Sequence, residues 1–286
     1  MASTDLIAAH ELIELLRHDA VLVVDCRFRL DDSGAGKRDY AAGHVPGAEY
    51  ADLDLDLSDL HKSGLGRHPL PDEQAFAATL SRWGWHAGMR VVAYDAAGGG
   101  LAAARLWWML RLLGEHTVSV LDGGWQAWQE VGGAVVTDTP SRAPSSVDIA
   151  FDAGQMVGYD ELQSALATQS VRLLDARAAA RYRGEVEPLD AVAGHVPGAL
   201  NRPHDTNIDA HGRFKSPVQL RAEFLPLIGE QAPEAIVHMC GSGVTACHNL
   251  LAMEYAGLHG SRLFAPSWSG WISDPKRPVA VGAAPG

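Results

Sequence analysis

The stretch Ala42-Gly-His-Val-Pro-Gly-Ala48 recurs unchanged as Ala193-Gly-His-Val-Pro-Gly-Ala199, 151 residues later. Upstream of it, Val21-Leu-Val-Val-Asp25-Cys-Arg27 corresponds to Val171-Arg-Leu-Leu-Asp175-Ala-Arg177. Because the matches keep their order at a nearly constant spacing, the chain is predicted to contain two copies of one domain. Two further pairs of matching segments follow in the same order, 91–95 with 236–240 and 124–128 with 267–271.

Short apolar strands alternate with helical segments in both copies. The clearest helical segments are Asp72 to Trp83, Leu101 to Leu113 and Val244 to Tyr255, the last two stopping near a glycine. This alternation predicts an α/β fold in which each copy has a mostly parallel sheet flanked by helices. The predicted boundaries are residues 1–137 for the first domain, 138–157 for a Pro- and Ser-containing linker, and 158–286 for the second domain.

The composition excludes several classes of protein. The 286 residues carry 23 Lys and Arg against 35 Asp and Glu, a net charge of -12, so neither nucleic acid nor a membrane surface is an expected partner. The N-terminus lacks the basic start and long apolar core of a signal peptide, and no segment is apolar enough to span a bilayer. Three cysteines are too few for a disulfide framework. We therefore expect a cytoplasmic protein in which one cysteine is a working thiol.

The two copies differ after the second strand of each repeat. The first copy reads Asp95-Ala-Ala-Gly-Gly-Gly100, whereas the second reads Cys240-Gly-Ser-Gly-Val-Thr245. A cysteine at the carboxyl end of a parallel strand, in a glycine-rich loop that opens a helix, is placed for nucleophilic work. Inward-turned N–H groups and the helix N-terminus both favour negative charge on its sulfur. The sequence therefore predicts Cys240 as a nucleophile and the first copy as catalytically silent.

With these residues in view, nearly the whole chain resembles a tandem-domain rhodanese-type sulfurtransferase. The resemblance rests on the repeated Gly-His-Val-Pro-Gly element, on the Trp-rich segments at 105–109 and 124–128, and on the loop 240–246. It implies two rhodanese-like domains, a Cys240 that cycles between thiol and persulfide, and an inactive first copy with Asp95 in the place of the cysteine. It implies no cofactor and no metal.

The uncharged loop after Cys240 resembles the 3-mercaptopyruvate branch of that family rather than the thiosulfate branch. Thiosulfate:cyanide transfer through the same cysteine is the alternative activity. By resemblance, Arg181 would hold the donor's carboxylate, and a second family arginine would fall near Leu189, where Arg183 is the candidate replacement. The acceptor would be a small thiol, cyanide or a thioredoxin-like protein.

The predicted active site combines these assignments. The catalytic candidates besides Cys240 are Ser242 and Thr245, whose hydroxyls would stabilise developing charge. Gly241, Gly243 and Val244 would form the substrate-binding loop with Arg181 and Arg183. The repeated His44 and His195 are interpreted first as structural residues of a turn, although the resemblance also offers His44 as a proton carrier.

Four other interpretations compete with this one. Gly98-Gly-Gly100-Leu-Ala-Ala103 fits a dinucleotide-binding pattern, but its first glycine lies too far beyond the strand. A cysteine phosphatase needs an arginine at the end of the loop, where Ala246 stands. A zinc site made by His238, Cys240, Cys247 and His248 has no standard spacing. The fourth interpretation is a sulfur carrier that only stores persulfide, which a slow turnover together with a stable persulfide would support.

Overall fold

The computed structural model describes residues 5–18 and 20–286. They form two compact units, each of which takes most of its residues from one half of the chain. The first unit runs to Asp59 and from Leu70 to Asp152, and includes Ile208–Phe214. The second unit consists of Leu60–Pro69, Ala153–Asn207 and Lys215–Gly286.

The first unit is built on a five-stranded sheet with the order β1-β5-β4-β2-β3, in which every pair is parallel. Its strands are β1 Leu6–Ile7, β2 Val21–Asp25, β3 Glu49–Tyr50, β4 Arg90–Tyr94 and β5 Val118–Leu121. Its helices are α1 Ala9–His18, α2 Ala35–Ala42, α3 Glu73–Arg82, α4 Ala102–Arg111 and α5 Gly124–Glu130.

The second unit repeats this order in a four-stranded parallel sheet, β7-β6-β8-β9. Its strands are β6 Arg172–Asp175, β7 Leu200–Asn201, β8 Ile236–Met239 and β9 Arg262–Leu263. Its helices are α6 Tyr159–Ala167, α7 Ala179–Tyr182, α8 Pro217–Ile228, α9 Ala246–Tyr255 and α10 Ser267–Trp271. An isolated parallel bridge from Met156 to Leu263 takes the place of the fifth strand. The predicted α/β fold is confirmed in both copies.

Local chemistry explains where the elements lie. All five residues of β2 are buried, as expected for a parallel strand covered on both faces. Helix α3 starts one residue after the predicted Asp72, because the Asp72 side chain accepts from the Ala75 N–H and acts as N-cap. In helix α4, every residue from Ala102 to Leu110 is buried, which makes α4 a central core helix.

The repeated Gly-His-Val-Pro-Gly element has the same structural role in both units. The rings of His44 and Tyr40 stack with centroids 3.9 Å apart, and those of His195 and Tyr182 do so at the same distance. Each histidine Nδ1 also contacts the carbonyl oxygen of its stacking tyrosine, at 2.8 Å and 2.9 Å respectively. The structural interpretation of the two histidines is therefore the one that the contacts support.

The paired aspartate and arginine after the first strand of each repeat are structural as well. Arg27 Nη2 donates to Asp25 and to the Gly43 carbonyl, both at 2.6 Å. In the second unit, Arg177 donates in the same way to Asp175 and to the Gly194 carbonyl. These buried ion pairs tie each strand end to the repeated turn.

The two compact units divide the predicted linker after Asp152, and they also depart from contiguous domains in two further segments. Residues 60–69 lie in the second unit and residues 208–214 in the first. These segments correspond in the repeat, since Gly66-Arg67-His68 matches Gly212-Arg213-Phe214. Patterns of strand and helix do not assign such irregular stretches to a core, which is why contiguous boundaries were predicted. Among the described residues, no helix combines the length and the apolarity needed to cross a membrane.

Candidate active site

Cys240 directly follows β8, and α10 fixes its backbone. The Ser267 hydroxyl oxygen accepts from the Cys240 N–H at 3.0 Å, and the Trp268 N–H donates to the Cys240 carbonyl at 3.0 Å. Ser267 is fully buried and has a φ of 53°, a left-handed conformation that is unusual for a residue with a side chain. Contacts on both sides of the Cys240 peptide therefore hold the cysteine in place.

The loop after Cys240 turns a backbone N–H toward the sulfur. The Gly243 N–H donates to Cys240 Sγ at 3.2 Å. Gly243 has a φ of 78°, and a Cβ at this position would lie 2.3 Å from the Ala265 carbonyl oxygen, so only glycine fits. Val244 is buried, and Thr245 occupies the N-cap position of α9 without a capping bond from its hydroxyl.

The corresponding loop in the first unit binds a carboxylate. Asp95 Oδ1 accepts from the N–H groups of Ala97 and Gly99, each at 2.8 Å. Asp95 Oδ2 accepts from those of Leu101 and Ala103, at 3.1 Å and 3.3 Å. Although these bonds favour the ionised form, burial raises the pKa of Asp95 above its ordinary value. The side chain of Asp95 thus fills the loop, and the N–H groups of the glycine-rich stretch are not left for a dinucleotide phosphate.

Two guanidinium groups lie above the loop that follows Cys240. A Cβ built on Gly241 would be 2.9 Å from Arg67 Nη2 and 3.5 Å from Arg181 Nη1. Arg67 ion-pairs with Asp190 through Nη1, and its backbone N–H donates to Ser269 Oγ at 3.0 Å. Arg67 was not predicted from the sequence, whereas Arg181 was.

Acidic side chains hold Arg181 from the other side. Arg181 Nη2 donates to Glu187 Oε1 at 2.7 Å and to Asp190 Oδ2 at 3.1 Å. Burial raises the pKa of Glu187, but the hydrogen bonds and charge of Arg181, together with hydrogen bonds from the Leu189 and Asp190 N–H groups, leave that pKa below its ordinary value. Glu187 is therefore a carboxylate that neutralises part of the positive charge beside the loop.

The histidine at the site is His68. Its Nδ1 lies 2.8 Å from Ser242 Oγ, and both residues are buried. The repeat contains a signal that could have pointed to His68, because the matching position in the second copy is Phe214. The two copies differ in the same way at Cys240, where the first copy has Asp95. His68 and Ser242 are 174 positions apart, so no local pattern joins them.

Two of the predicted site residues are engaged by other groups in the structure. His44 is fully buried, and its Nε2 lies 2.9 Å from the Asp138 carbonyl oxygen while its Nδ1 contacts Tyr40, so both ring nitrogens are occupied. Arg183 pairs with Glu185 at the surface through Nε and Nη2, and it is not the second guanidinium above the loop. Residues that match a family position in sequence need not face the site, because side-chain direction depends on the fold.

The other two cysteines are buried structural residues. Cys247 Sγ lies 3.4 Å from the Gly243 carbonyl oxygen on the first turn of α9. Burial, together with the nearby Asp25, raises the pKa of Cys26 well above its ordinary value, which keeps this thiol protonated. All three cysteines lie in the described part of the chain, and none of them forms a disulfide. In the part of the chain that the structure describes, no three His, Cys, Asp or Glu side chains converge as metal ligands.

Comparison with known proteins divides the chain into the same two repeated halves. The profile of the rhodanese-like domain matches residues 8–131 and 159–274. A Pseudomonas aeruginosa protein provisionally named 3-mercaptopyruvate sulfurtransferase is 45% identical over 99% of this chain and 100% of its own. A Mycobacterium tuberculosis protein provisionally named thiosulfate sulfurtransferase SseB is 40% identical over 98% of each chain. The crystal structure of SseA from Escherichia coli, described as a 3-mercaptopyruvate sulfotransferase, is 30% identical with a TM-score of 0.80, covering 94% of this chain and 100% of its own.

Proposed function

Because this chain belongs to the rhodanese-like domain family, we propose that it is a sulfurtransferase with 3-mercaptopyruvate as donor. Cys240 would take the donor's sulfur as a persulfide and pass it to a thiol or to cyanide. The observation that carries the proposal is the position of Cys240, at the end of β8 with the Gly243 N–H on its sulfur and the Arg181 guanidinium above the loop. The similarity to the P. aeruginosa relative over the whole chain supports it.

The reaction divides into two displacements at sulfur. In the first, Cys240 Sγ attacks the donor sulfur, an S–S bond forms and the C–S bond breaks. The electron pair of that bond goes to carbon, which takes a proton and leaves as pyruvate. In the second displacement, the acceptor attacks the outer sulfur, and Cys240 leaves as thiolate with the electrons of the S–S bond. No other redox partner is needed.

Groups of the second unit would assist the first displacement. The loop N–H groups that hold the Asp95 carboxylate in the first copy have counterparts beside the shorter Cys240 in the second, and one of these, the Gly243 N–H, donates to the cysteine sulfur. They are suited to stabilise the negative charge that develops on sulfur or on the departing enolate. Ser242, hydrogen-bonded to His68, would deliver the proton to carbon. A stabilising role for the Thr245 hydroxyl stays a prediction.

Thiosulfate is the second candidate donor, since the M. tuberculosis relative carries that name. The charge beside the loop favours 3-mercaptopyruvate. Arg67 and Arg181 are balanced by Glu187 and Asp190, and residues 241–245 carry no charge, so little positive charge is left for a compact dianion.

The test compares the two donors directly. We expect the wild-type protein to release pyruvate from 3-mercaptopyruvate with cyanide or a small thiol as acceptor, and Cys240→Ser to release none. The matched control is Cys247→Ser, which removes a buried thiol from the same unit and should keep its activity. Equal turnover by Cys240→Ser would disprove the nucleophile, and faster sulfite release from thiosulfate than pyruvate release would reverse the choice of donor.

The acceptor and the compartment belong to the same proposal. Persulfide transfer to a small thiol or a thioredoxin-like protein requires a reducing environment, and three cysteines that form no disulfide are compatible with the predicted cytoplasmic location. A slow turnover combined with a long-lived persulfide would instead favour a sulfur carrier.

A further inference from the structure

A connected set of buried polar side chains lies at the first turn of α9, the helix that follows the Cys240 loop. Three members of this polar set are fully buried and the fourth is 8% exposed, in the order Asn207, His248, Asn249 and Arg202. Buried polar groups cost free energy unless each finds a partner, and a connected set of them fixes one arrangement of the elements that carry it. The reaction at Cys240 uses none of these side chains directly, so their place in the core needs another explanation.

Asn207 is the centre of the polar set, because both ends of its amide are bound. Its Nδ2 donates to His248 Nδ1 at 3.2 Å and to Asn249 Oδ1 at 2.6 Å. Its Oδ1 accepts from Arg202 Nη2 at 3.0 Å, and the same Nη2 donates to Glu223 of α8 at 2.7 Å. A reversed amide would point its N–H groups at the guanidinium and its oxygen at two acceptors, so these partners select one orientation.

On one side the polar set is anchored to the end of β6. Asn249 Nδ2 donates to the Arg202 carbonyl at 2.8 Å, and the Arg202 N–H donates to the Asp175 carbonyl at 2.9 Å. Asp175 is paired in register with Met239 of β8, the residue before Cys240. The first turn of α9 is therefore tied to the strand end that carries the cysteine.

On the other side the first turn of α9 is bonded to the loop. The His248 N–H donates to the Thr245 carbonyl at 3.2 Å, and the N–H of the residue before it donates to the Val244 carbonyl at 3.1 Å. The next residue back along the loop is Gly243, whose N–H donates to Cys240 Sγ at 3.2 Å. A shift of this turn would thus move the N–H group that contacts the sulfur.

At the matching places of the first unit, the described residues make different contacts. Asp56 stands at the offset of the repeated turn, 151 residues before Asn207, and it pairs with Arg82 of α3. The first turn of α4 consists of residues 102–104, which are all alanine. The polar set therefore accompanies the cysteine rather than the shared fold.

We propose that Asn207 is a positioning residue of the Cys240 site, which holds the first turn of α9 so that the loop N–H groups stay aimed at the sulfur. The inference rests on the proposed function, since it assigns a residue that supports the nucleophile of that reaction. Asn207 acts through His248 and Asn249. Its loss leaves two buried acceptors without their donor, which lets the turn shift and removes part of the stabilisation of the thiolate.

The thiolate is measured by alkylation with iodoacetamide as a function of pH, with peptide mass spectrometry to confirm that Cys240 is the modified residue. Asn207→Leu keeps nearly the same side-chain size and removes both N–H donors. It should raise the pH midpoint of alkylation by about half a unit to one unit, which below the midpoint is about a threefold to tenfold loss of thiolate. The charged and titratable side chains beside the loop are unchanged in this variant, namely Arg67, His68, Arg181, Glu187 and Asp190.

Variants of His248 test the same bond from its other end. His248→Asn places an amide oxygen near the position of Nδ1 and can still accept from Asn207, whereas His248→Leu cannot. The midpoint for His248→Asn should therefore lie between those of the wild type and His248→Leu. Adding Asn207→Leu to His248→Leu should shift the midpoint by less than Asn207→Leu does alone, because the bond is already lost.

The matched control is Leu251→Val, which shortens a fully buried side chain of the same helix. It should lower the melting temperature through the cavity that it leaves, without moving the midpoint. An unchanged midpoint in Asn207→Leu, an equal shift in Leu251→Val, or equal midpoints for His248→Asn and His248→Leu would each overturn the proposal. The two His248 variants keep the test available if Asn207→Leu does not fold.

Alkylation needs no sulfur donor, so its outcomes are separate from those of the proposed function. If the wild-type protein releases no pyruvate while Asn207→Leu shifts the midpoint, the function is wrong and the positioning role is kept. If the wild-type protein releases pyruvate and the midpoint stays the same in Asn207→Leu, the function is kept and the positioning role is removed.

Discussion

His238 is a fully buried histidine on β8, two residues before Cys240. Its Nε2 lies 3.2 Å from Met253 Sδ, and its Nδ1 has no hydrogen-bond partner among the described residues. Burial lowers the pKa of His238 from 6.5 to about 3, so the ring is neutral at physiological pH. A neutral ring packed against methionine belongs to the core, which removes it from the phosphatase and zinc interpretations.

This burial predicts a pH dependence of stability. In the unfolded chain His238 binds a proton below pH 6.5, whereas in the folded protein it does so only near pH 3. The contribution of the neutral ring to stability is therefore present above pH 6.5 and is lost as the pH falls toward 3. Between pH 7 and 5 the free energy of unfolding of the second unit should fall by about 2 kcal/mol through this group. When His238→Leu is unfolded with urea at pH 7 and at pH 5, its free energy of unfolding should fall by about 2 kcal/mol less than that of the wild type.

The matched control is His10→Leu, which removes an exposed histidine and should keep the wild-type pH dependence. If His238→Leu and the wild-type protein lose the same free energy between pH 7 and 5, the ring is not held neutral in the folded state.

At the scale of an element, the loop between β8 and α9 uses two glycines for different reasons. Gly243 is required by the backbone, because its φ is 78° and the Ala265 carbonyl stands where a Cβ would be. Gly241 is not required by the backbone in this way, because the atoms nearest to a Cβ there belong to the ends of the Arg67 and Arg181 side chains. The same substitution at the two positions should therefore have different effects.

We predict that Gly243→Ala lowers stability and kcat together. The left-handed conformation alone costs a residue with a Cβ about 1–2 kcal/mol, and the clash with a backbone atom adds to that cost. Gly241→Ala should leave the melting temperature near that of the wild type and raise KM for 3-mercaptopyruvate by about threefold to tenfold. Thermal melting and donor kinetics on both variants give the comparison. A similar drop in melting temperature for both would show that Gly241 is also a backbone requirement.

For the whole molecule, duplication has produced two units that differ at the loop after the second strand of each repeat. The first unit keeps the fold, the stacked His44 turn and the buried Asp25–Arg27 pair, but its loop is filled by Asp95. The first unit has no nucleophile at this loop, and the buried thiol of Cys26 is held protonated beside Asp25.

We therefore expect one sulfur atom per chain when the protein is incubated with 3-mercaptopyruvate without acceptor. Intact-mass spectrometry should show a single added sulfur in the wild type and in Cys26→Ser, and none in Cys240→Ser. A second added sulfur, or its loss in Cys26→Ser, would place reactive sulfur chemistry in the first unit.

Much of the site was accessible from sequence. Cys240 was identified because the repeat sets it against Asp95, and Arg181 by its family position. Arg183 and His44 were assigned on similar grounds, yet the fold turns Arg183 to a surface pair with Glu185 and encloses His44 in its own turn. A one-dimensional match gives a residue's position in the chain but not the direction of its side chain.

The amino-acid sequence by itself determined the duplication and the parallel α/β fold, and it predicts Cys240 as nucleophile and the first copy as silent, because each follows from local periodicity or from a difference between matching segments. Only the tertiary structure decided that His68 contacts Ser242 and that Arg67 joins Arg181 above Gly241. The physical reason is that residues 60–69 pack in the second unit, far along the chain from the loop they complete. Charge and hydrogen bonding in the folded state, rather than any sequence pattern, bring these groups together.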